Sequence, residues 1–305
     1  MVRRFDEDDT ASTHLTDVTD PADATDDVRK TLEKLRAGQR VGAVQTADGE
    51  WRPDVASPAR MYDYYLGGKD HSLVDAEAAE RVLKFAPSIR TVARANRAFM
   101  HRAVAWAAQR GIDQFVDVGT GIPTEPNPYQ IARRYRPDAV VVGVDNDPVV
   151  LAHDRALLEG MPIVRGDVRA VDELITDLGA WIDWGEPVAV LLIAILHFIT
   201  DDENPARVVE AFTERMAPGS VVVLSHVSST GADREALARA EQVYQDATAP
   251  AVSRTHEQIM NLFGRLELVP PGVVPVQHWP IEAGPLTKIP ILGGVGIVPE
   301  PTSST

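Results

Sequence analysis

One short segment, Phe115 to Thr124 with the sequence FVDVGTGIPT, constrains the fold of this chain more than any other. Its apolar start is typical of a short buried strand, and the glycines that follow predict a tight turn leading into a helix. Gly119 and Gly121 lack a Cβ, so they can adopt positive φ and let a ligand approach the backbone, while a helix N-terminus offers free N–H groups. The segment therefore predicts a ligand-binding turn after a strand of an α/β fold.

A second strand that ends in an acid supports this interpretation. Residues Ala139 to Val144 are apolar and mostly β-branched, and Asp145 follows them directly. A carboxylate at the end of the next strand, about twenty residues or slightly more beyond a glycine turn, is where a dinucleotide-type site binds ribose hydroxyls. Asp145 is therefore predicted to accept hydrogen bonds from both hydroxyls of a ribose.

Two classes of ligand use this geometry. A nicotinamide site requires a third small residue, as in G-x-G-x-x-G or with alanine last, and that position here holds Thr124 after Pro123. Asp117 followed by Gly119 and Gly121 resembles motif I of the Rossmann-like S-adenosylmethionine-dependent methyltransferases, whose acid and turn face the methionine half of the cofactor. A third interpretation stays open, in which the glycines serve only the packing of the turn.

The composition limits the classes of protein that remain. The 305 residues are 44% hydrophobic, enough for one large domain, alone or with an appendage. A net charge of −15 argues against broad binding to nucleic acid or to anionic membranes. The chain has no cysteine for a disulfide or a thiolate metal site, and no metal is predicted.

The location of the protein is predicted from two further features. Its start has no apolar region of the kind that signal peptides carry. The longest apolar run, Val188 to Leu196, is far shorter than the roughly twenty residues that a membrane-spanning helix needs. We therefore expect a cytoplasmic protein that binds neither membrane nor nucleic acid, and we predict no oligomeric state.

Three motifs, in the same order along the chain, resemble one bacterial methyltransferase family whose substrate is unassigned. They are ARMYDYYLGGKD from Ala59, DVGTGIPT from Asp117 and VDNDPVVLAH from Val144. The resemblance covers about Trp51 to Pro299. It implies a Rossmann-like α/β fold, with a mostly parallel sheet of seven strands, an antiparallel last strand and helices on both faces.

The domain organisation follows from this coverage. Residues 1–50 are predicted to be a disordered acidic extension, because Met1 to Asp27 contains nine acids, two arginines and few large apolar residues. The methyltransferase domain is predicted over 51–299, with a lid segment over 51–110 and a tail over 300–305. Residues 51–75 show no clear helical or strand period, so we expect the start of the lid to wrap a site rather than build a core.

The family resemblance implies roles around the methionine half of S-adenosylmethionine. Arg60 is expected to pair with the cofactor's carboxylate, and Tyr62 to present a ring face to its sulfonium. In the alternative, the tyrosines only pack the lid and Arg60 meets a surface acid. Asn96 and Arg97 also lie within reach of this end, and Asn96 is kept as the candidate, although polar residues on helices usually face solvent. The residues expected at the glycine turn are Asp117, Gly119, Thr120 and Gly121.

The adenosine half has its own candidates. Asn146 and Asp147 are expected near the adenine edge, although Asp147 suits an N-cap before Pro148 equally well. Asp167, at the end of a third strand, is expected to accept a hydrogen bond from the adenine amino group, while the backbone N–H of Val168 donates to the ring. Capping of the strand end is the alternative for Asp167.

The most apolar strand, Val188 to Ala194, is predicted to be central in the sheet, because it is apolar on both faces. Its carboxyl end, including Ala194, would then lie beside the cofactor. His197 follows as the candidate general base, or as a residue that only orients a backbone group. His226, at the end of the next strand, is a second candidate on the substrate side.

The rest of the chain predicts further helices and two closing strands. The strands are expected over 266–279 and 288–298. The helices are expected over 75–84, 89–110, 129–135, 201–216, 233–245 and 253–263.

We therefore predict an S-adenosylmethionine-dependent methyltransferase whose acceptor is unidentified, with a small molecule favoured because the acidic surface disfavours nucleic acid. Two alternatives remain. One is a non-catalytic regulatory protein that binds S-adenosylmethionine or S-adenosylhomocysteine, since it would retain the same cofactor residues. The other is a nicotinamide oxidoreductase, which Thr124 disfavours.

Overall fold

The structure, a computed structural model, describes residues 30, 33–34, 44–46, 49–281 and 284–300. Most of the predicted disordered extension and the end of the predicted tail lie outside these residues. Within the extension, β1 (Val44–Thr46) and β2 (Gly49–Trp51) form an antiparallel hairpin. The chain therefore has regular structure on the N-terminal side of the predicted boundary at residue 51.

The main sheet has eight strands in the described part of the chain. They are β3 (Gln114–Val118), β4 (Val140–Asp145), β5 (Ile163–Arg165), β6 (Val188–Ile193), β7 (Val221–Val227), β8 (Glu267–Leu268), β9 (Val274–Pro275) and β10 (Ile291–Ile297). Their order is β5-β4-β3-β6-β7-β10-β8, with β9 also paired to β10. Strands β3 to β7 run parallel and β10 runs antiparallel to its neighbours. This confirms the predicted Rossmann-like fold with an antiparallel last strand.

The helices surround this sheet. They are α1 (Pro58–Leu66), α2 (Leu73–Phe85), α3 (Ile89–Gln109), α4 (Pro128–Tyr135), α5 (Pro148–Leu157), α6 (Val171–Leu178), α7 (Pro205–Arg215), α8 (Arg234–Tyr244) and α9 (His256–Leu262). The predicted helices are present with bounds shifted by a few residues. The helix expected over 201–216 divides at Asn204, which adopts a left-handed conformation between a 3-10 turn and α7.

One predicted strand is wrong. Residues 266–279 form only the two-residue strands β8 and β9 and a 3-10 turn at Val276–His278. The interruption lies at Pro270, Pro271 and Gly272, because proline has no N–H for a strand ladder and glycine favours a turn. The other closing strand, expected over 288–298, is β10.

Helix α1 was not predicted, because its buried face is partly charged. Arg60, Met61, Asp63 and Tyr65 all point inward, so the apolar period that normally marks a helix is absent from the sequence. Its start is nevertheless typical, with proline at the first helical position. It ends at Gly67, whose φ of 88° suits a left-handed C-cap.

The core lies on both faces of β6. Val190 and Leu192 pack with α6, α7 and α9 on one face, whereas Ala189 and Leu191 pack with α3 and α4 on the other. Strand β6 is therefore interior to the sheet, between β3 and β7, as predicted. A separate apolar cluster joins α1, α2 and α8, which we call the lid helices.

Candidate functional site

A cavity of about 410 Å³ lies where the parallel strands end. Its wall includes the last residues of β3, β4, β6 and β7, together with side chains from α3 and the lid helices. The carboxyl edge of an open α/β sheet is where ligands bind in this architecture, and the volume suits a small-molecule site. Apart from His226, the wall contains the predicted site residues, namely Arg60, Tyr62, Asn96, Asp117, Gly119, Thr120, Gly121, Asp145, Asn146, Asp167, Val168, Ala194 and His197.

The glycine turn has the expected backbone. Gly119 and Gly121 have φ of 74° and 62°, and the N–H groups of Gly119 and Thr120 both donate to the Val144 carbonyl, at 2.7 and 3.1 Å. The positive φ favours glycine at position 119, and a Cβ there would also lie 2.4 Å from Cδ1 of Ile195, whose side chain would have to move. The Thr120 side chain leaves the turn and bonds Asp154 at 2.6 Å.

The glycine turn leads into α4, as predicted, after the irregular residues 122–127, which include Pro123 and Pro126. The helix N-terminus therefore does not follow Gly121 immediately. The N-terminus of α4 is capped by its own residue Asn127, whose side chain accepts from the backbone of Gln130 at 2.9 Å. The N–H groups of Gly119, Thr120 and Gly121 already donate to the Val144 carbonyl and to Asp145, so these three residues do not supply the free N–H groups expected at the ligand.

Asp117 is a buried acid with no protein partner. Its side chain is 7% exposed, and no donor in the described ranges hydrogen-bonds its carboxylate. Burial raises the pKa of Asp117 to about 6, although the nearby Arg97 charge lowers it. A buried carboxylate that faces a cavity without a partner is stabilised by a bound cation, and the ammonium group of a methionine moiety fits this requirement.

Asp145 has one free acceptor position on each carboxylate oxygen. Oδ2 accepts from the Gly121 backbone at 3.0 Å, and Oδ1 accepts from the Asp147 backbone at 2.9 Å. Because each oxygen has two lone pairs, two further hydrogen bonds are available to a pair of hydroxyls. Burial raises the pKa of Asp145 to about 6, and the backbone hydrogen bond from Asp147 opposes this rise.

The expected adenine residues form one hydrogen-bonded group. Asn146 donates to Oδ2 of Asp167 at 3.1 Å, and the backbone and Nε of Arg169 each donate to Oδ1 at 2.9 Å. Burial raises the pKa of Asp167, but the hydrogen bonds from Arg169 outweigh it and the pKa falls below its ordinary value. One acceptor position therefore remains on Oδ2. The side chain of Val168 is buried in the core.

Arg60 occupies a different environment from either expectation. Its guanidinium is 1% exposed and donates to Asp75 at 2.9 Å, to Asp147 at 2.8 Å and to the Val55 carbonyl at 3.0 Å. Two carboxylates thus already compensate its charge, and neither of them is at an exposed surface. Arg60 joins α1 to α2 and to the end of β4.

Asp147 caps α5, which was one of its two expected roles. Its Oδ1 accepts from the Val149 backbone at 2.9 Å. Its Oδ2 accepts from the Ser57 hydroxyl at 2.7 Å as well as from Arg60. The carboxylate of Asp147 therefore binds residues of the lid segment, which is not the role expected for it at the adenine edge.

Tyr62 and Asn96 form a pair between α1 and α3. The Tyr62 hydroxyl donates to the Ala93 carbonyl at 2.9 Å and accepts from Nδ2 of Asn96 at 3.2 Å. Asn96 is fully buried, so it does not belong to a solvated helix face. Its Oδ1 has no hydrogen-bond partner, and an unpaired buried acceptor is costly unless a ligand donates to it.

Arg97 is a cation at the cavity wall that was not chosen as a site residue from the sequence. It lines the cavity and donates to the carbonyls of Thr124 at 2.7 Å and Pro126 at 3.4 Å. The other described arginines of the wall, Arg52, Arg60 and Arg169, each form an ion pair with an acid. Arg97 bonds neutral carbonyls, so its charge is available to an anionic group in the cavity.

Ala194 adopts an unusual backbone at the end of β6. Its φ is 56°, in the left-handed region that a residue with a Cβ rarely adopts. Its N–H donates to the Ser225 hydroxyl at 2.9 Å, which helps to hold this conformation. Strained backbone of this kind is often found at ligand sites, and here it turns the chain along the cavity wall.

His197 is a neutral, buried imidazole at the cavity wall. Its side chain is 5% exposed, and no hydrogen bond to either ring nitrogen is present in the described chain, Nδ1 being fully buried. Burial lowers the pKa of His197 well below its ordinary value, and the neighbouring His226 and Arg254 lower it further. The ring can therefore accept a hydrogen bond, but it carries no charge at neutral pH.

His226 is not available to a substrate, contrary to the expectation. Its Nδ1 donates to the Val227 carbonyl at 2.7 Å, and its Nε2 accepts from Arg254 at 2.8 Å. Burial lowers the pKa of His226 to about 4. Both nitrogens are thus occupied, and the ring supports Arg254.

Arg254 was missed because nothing in the surrounding loop sequence marks it. Its buried guanidinium donates to the carbonyls of Leu196 at 3.1 Å and Ile199 at 2.9 Å, and to Asp201 at 2.6 Å. The Val252 backbone also donates to the His197 carbonyl at 2.8 Å. These bonds fix the loop that carries His197.

Comparison with known proteins identifies the family. The sequence model of the S-adenosyl methyltransferase family matches residues 44–299. A candidate methyltransferase from Thermobifida fusca YX has 33% identity and a TM-score of 0.75, over 81% of this chain and 96% of that one. A DUF574 family protein from Streptomyces avermitilis MA-4680 has 35% identity and a TM-score of 0.77, over 81% of this chain and 99% of that one.

A comparison with curated proteins finds no match. Among the residues that the structure describes, no helix combines the length and apolar character needed to cross a membrane. The fold, the cavity at the strand ends and the family match all favour S-adenosylmethionine over a nicotinamide cofactor as the ligand. The chain belongs to the S-adenosyl methyltransferase family, and S-adenosylmethionine is its cofactor.

Proposed function

We propose that the protein methylates a small molecule that binds in the same cavity as the cofactor. The observation that carries this proposal is that residues of the lid helices supply part of the wall of a partly enclosed cavity at the strand ends. A macromolecular acceptor would need an open approach, and the net charge of −15 disfavours a nucleic acid. We also propose a cytoplasmic location.

Each of the cofactor-binding residues contacts a different part of S-adenosylmethionine. Asp117 binds the methionine ammonium group, Arg97 replaces Arg60 as the partner of its carboxylate, and Asp145 binds both ribose hydroxyls. Tyr62 and Asn96 complete the wall at the methionine end, and the unpaired Oδ1 of Asn96 accepts a hydrogen bond there. The adenine group meets Asn146, Asp167 and the backbone of Val168. The backbone of Gly119, Thr120, Gly121 and Ala194 forms the surface against which the methionine half lies.

S-adenosylmethionine supplies a methyl group on a positively charged sulfur, which is already reactive towards nucleophiles. The protein therefore contributes mainly proximity, orientation and exclusion of water. His197 accepts a hydrogen bond from the O–H or N–H of the acceptor and orients it, and the neutral imidazole takes up the proton that this group loses as it gains the methyl group. Arg254 is a positioning residue, because it fixes the carbonyls on either side of His197.

Labelled cofactor tests this proposal. Purified protein is incubated with S-adenosylmethionine labelled in its methyl group and with a cell extract, and the label is then followed into small-molecule and macromolecular fractions. We expect label in the small-molecule fraction, and none with the Asp117→Asn variant. Label on protein or nucleic acid would contradict the proposal. Tight cofactor binding with no methylated product in any fraction would instead favour the regulatory protein.

A further inference from the structure

The cavity has two halves that differ in chemistry. The cofactor half lies at the ends of β3, β4 and β5 and contains Asp117, Asp145 and Asp167. The acceptor half lies beyond β6, where Val227 at the end of β7 pairs with Ile291 at the start of β10. His197 follows β6 and therefore stands between the two halves.

The acceptor half is mainly apolar. Its wall includes Val227 and Ile291 from the sheet, Val92 from α3, and Leu237 and Ala240 from α8. Tyr244 and Phe198 add aromatic rings whose centroids lie 5.7 Å apart. An apolar wall of this kind stabilises a ligand by removing apolar surface from water.

Charge is scarce in the acceptor half. The arginines of the described cavity wall are Arg52, which follows β2, Arg60 on α1, and Arg97 and Arg169 in the cofactor half. Glu241 is the acid on the acceptor side, and its Oε1 accepts from the Ser253 backbone at 2.9 Å. The described wall of this half offers an anionic ligand no cationic side chain, and a cationic ligand would lie beside the sulfonium charge of the cofactor.

Two polar groups remain free to orient a ligand. The hydroxyls of Tyr65 and Tyr244 lie 3.3 Å apart, and because one donates to the other, the second O–H is left to donate elsewhere. The ring of His197 offers an acceptor, as described above. The acceptor half therefore presents one hydroxyl donor and one imidazole acceptor within an apolar wall.

We propose that the methyl acceptor is an uncharged, mainly apolar molecule that carries a hydroxyl or amine N–H group. It binds between β7, β10 and α8, with the N–H or O–H donating to His197 and the tyrosine pair donating to a second polar atom. This inference rests on the proposed function, because it assigns the second half of the cofactor cavity.

Matched probes test this assignment by binding rather than by turnover. Calorimetry first measures S-adenosylhomocysteine binding, and the loaded protein is then titrated with 2-naphthol and with naphthalene-2-sulfonate, which share a ring system and differ in charge. We expect 2-naphthol to bind about tenfold or more tightly than the sulfonate. Equal binding of the two probes, or no binding of 2-naphthol, would overturn the inference. Failure of S-adenosylhomocysteine to bind would instead overturn the cofactor assignment of the proposed function.

Substitutions on α8 locate the probe. Ala240→Phe fills the acceptor half, so we expect it to weaken 2-naphthol binding by about tenfold or more while S-adenosylhomocysteine binding stays unchanged. Gln242→Phe adds the same ring on the exposed face of α8 and is the matched control. Tyr244→Phe removes only a hydroxyl and keeps the inference testable if Ala240→Phe does not fold. We expect it to weaken 2-naphthol binding by a few fold. Wild-type affinity for 2-naphthol in Ala240→Phe, or in Tyr244→Phe, would contradict the assignment.

Discussion

Nη1 of Arg60 lies 2.8 Å from Oδ2 of Asp147, although the two residues are separated by 87 positions in the chain. Asp147 also caps α5 two residues after Asp145, so this ion pair joins the lid to the strand end that carries the ribose acid. Arg60 reaches Asp75 on α2 with its Nε at 2.9 Å. One buried cation therefore holds α1, α2 and β4 together beside the cofactor half of the cavity.

Arg60→Leu is expected to destabilise the protein strongly. The substitution leaves Asp75, which is fully buried, and Asp147 without their cation, and breaking a buried pair in this way costs about 3–5 kcal/mol. The free energy of unfolding in urea measures the effect. Arg52→Ala is the control, since it removes an exposed pair with Asp54 and should leave stability nearly unchanged. Wild-type stability combined with weakened cofactor binding would show that Arg60 serves the cofactor's carboxylate instead.

Cofactor affinity is expected to fall in mildly acidic solution. Burial raises the pKa of Asp117 to about 6 in the free protein, and a bound ammonium group would lower it. Binding therefore favours the ionised acid, so the affinity for S-adenosylhomocysteine is constant above about pH 7 and falls as pH drops through 6. The limiting slope is about tenfold per pH unit for one proton. Calorimetry between pH 5 and 8 measures it.

Burial also raises the pKa of Asp145 to about 6, so both acids can contribute to the pH dependence of cofactor affinity. The variants Asp117→Asn and Asp145→Ala separate their contributions. Asp117→Asn should weaken binding at pH 8 by about 2 kcal/mol or more and reduce the pH dependence. A wild-type pH profile in Asp117→Asn would exclude Asp117 as the partner of the ammonium group.

Asp154→Asn is expected to stabilise the protein in alkaline solution. Burial raises the pKa of Asp154 to about 8, the hydrogen bond from Thr120 opposes this rise, and the charges of Asp145 and Asp117 add to it. The folded state thus keeps a proton on Asp154 that the unfolded state releases near pH 4. The contribution of Asp154 to the free energy of unfolding therefore falls as pH rises from about 4 to about 8, by roughly 1.4 kcal/mol per pH unit at most. Asparagine resembles the protonated acid in shape.

Urea unfolding of wild type and Asp154→Asn at pH 5 and pH 8 tests this linkage. The variant should gain stability relative to wild type between the two pH values. Asp117 and Asp145 titrate in both proteins, so the comparison reports on Asp154 together with its electrostatic coupling to these two acids. A stability difference that is the same at both pH values would contradict a raised pKa at this position.

Asp145→Ala is expected to weaken S-adenosylmethionine binding by about 1–3 kcal/mol, because hydrogen bonds to a charged group are lost. The domain should remain folded, which circular dichroism checks. Unchanged affinity would remove the ribose assignment. Ser57→Ala is a control for indirect effects through the lid, because it removes the hydroxyl that donates to the neighbouring acid Asp147.

The parts of the site that depend on local sequence were predictable. Gly119 and Asp145 were found because a glycine turn and a strand-end acid are each encoded within a few consecutive residues. The roles of Arg60 and Arg254 were not predicted, because their acidic partners lie 15 to 87 residues away along the chain and their surroundings show no period. Strand β6 was predicted correctly since a strand buried on both faces is apolar throughout.

The same reasoning explains the errors. A charged residue on a buried face, as in α1, removes the periodicity on which helix prediction depends. Pro270 and Pro271 divide the strand expected over 266–279.

A crystal structure of the protein grown with S-adenosylhomocysteine shows whether Asp117 and Asp145 bind two parts of one ligand. We expect the amino group within hydrogen-bond distance of Asp117 and both ribose hydroxyls on Asp145, with Arg60 still bound to Asp75 and Asp147. A ligand that contacts neither Asp117 nor Asp145, or that lies outside the cavity, would contradict this expectation.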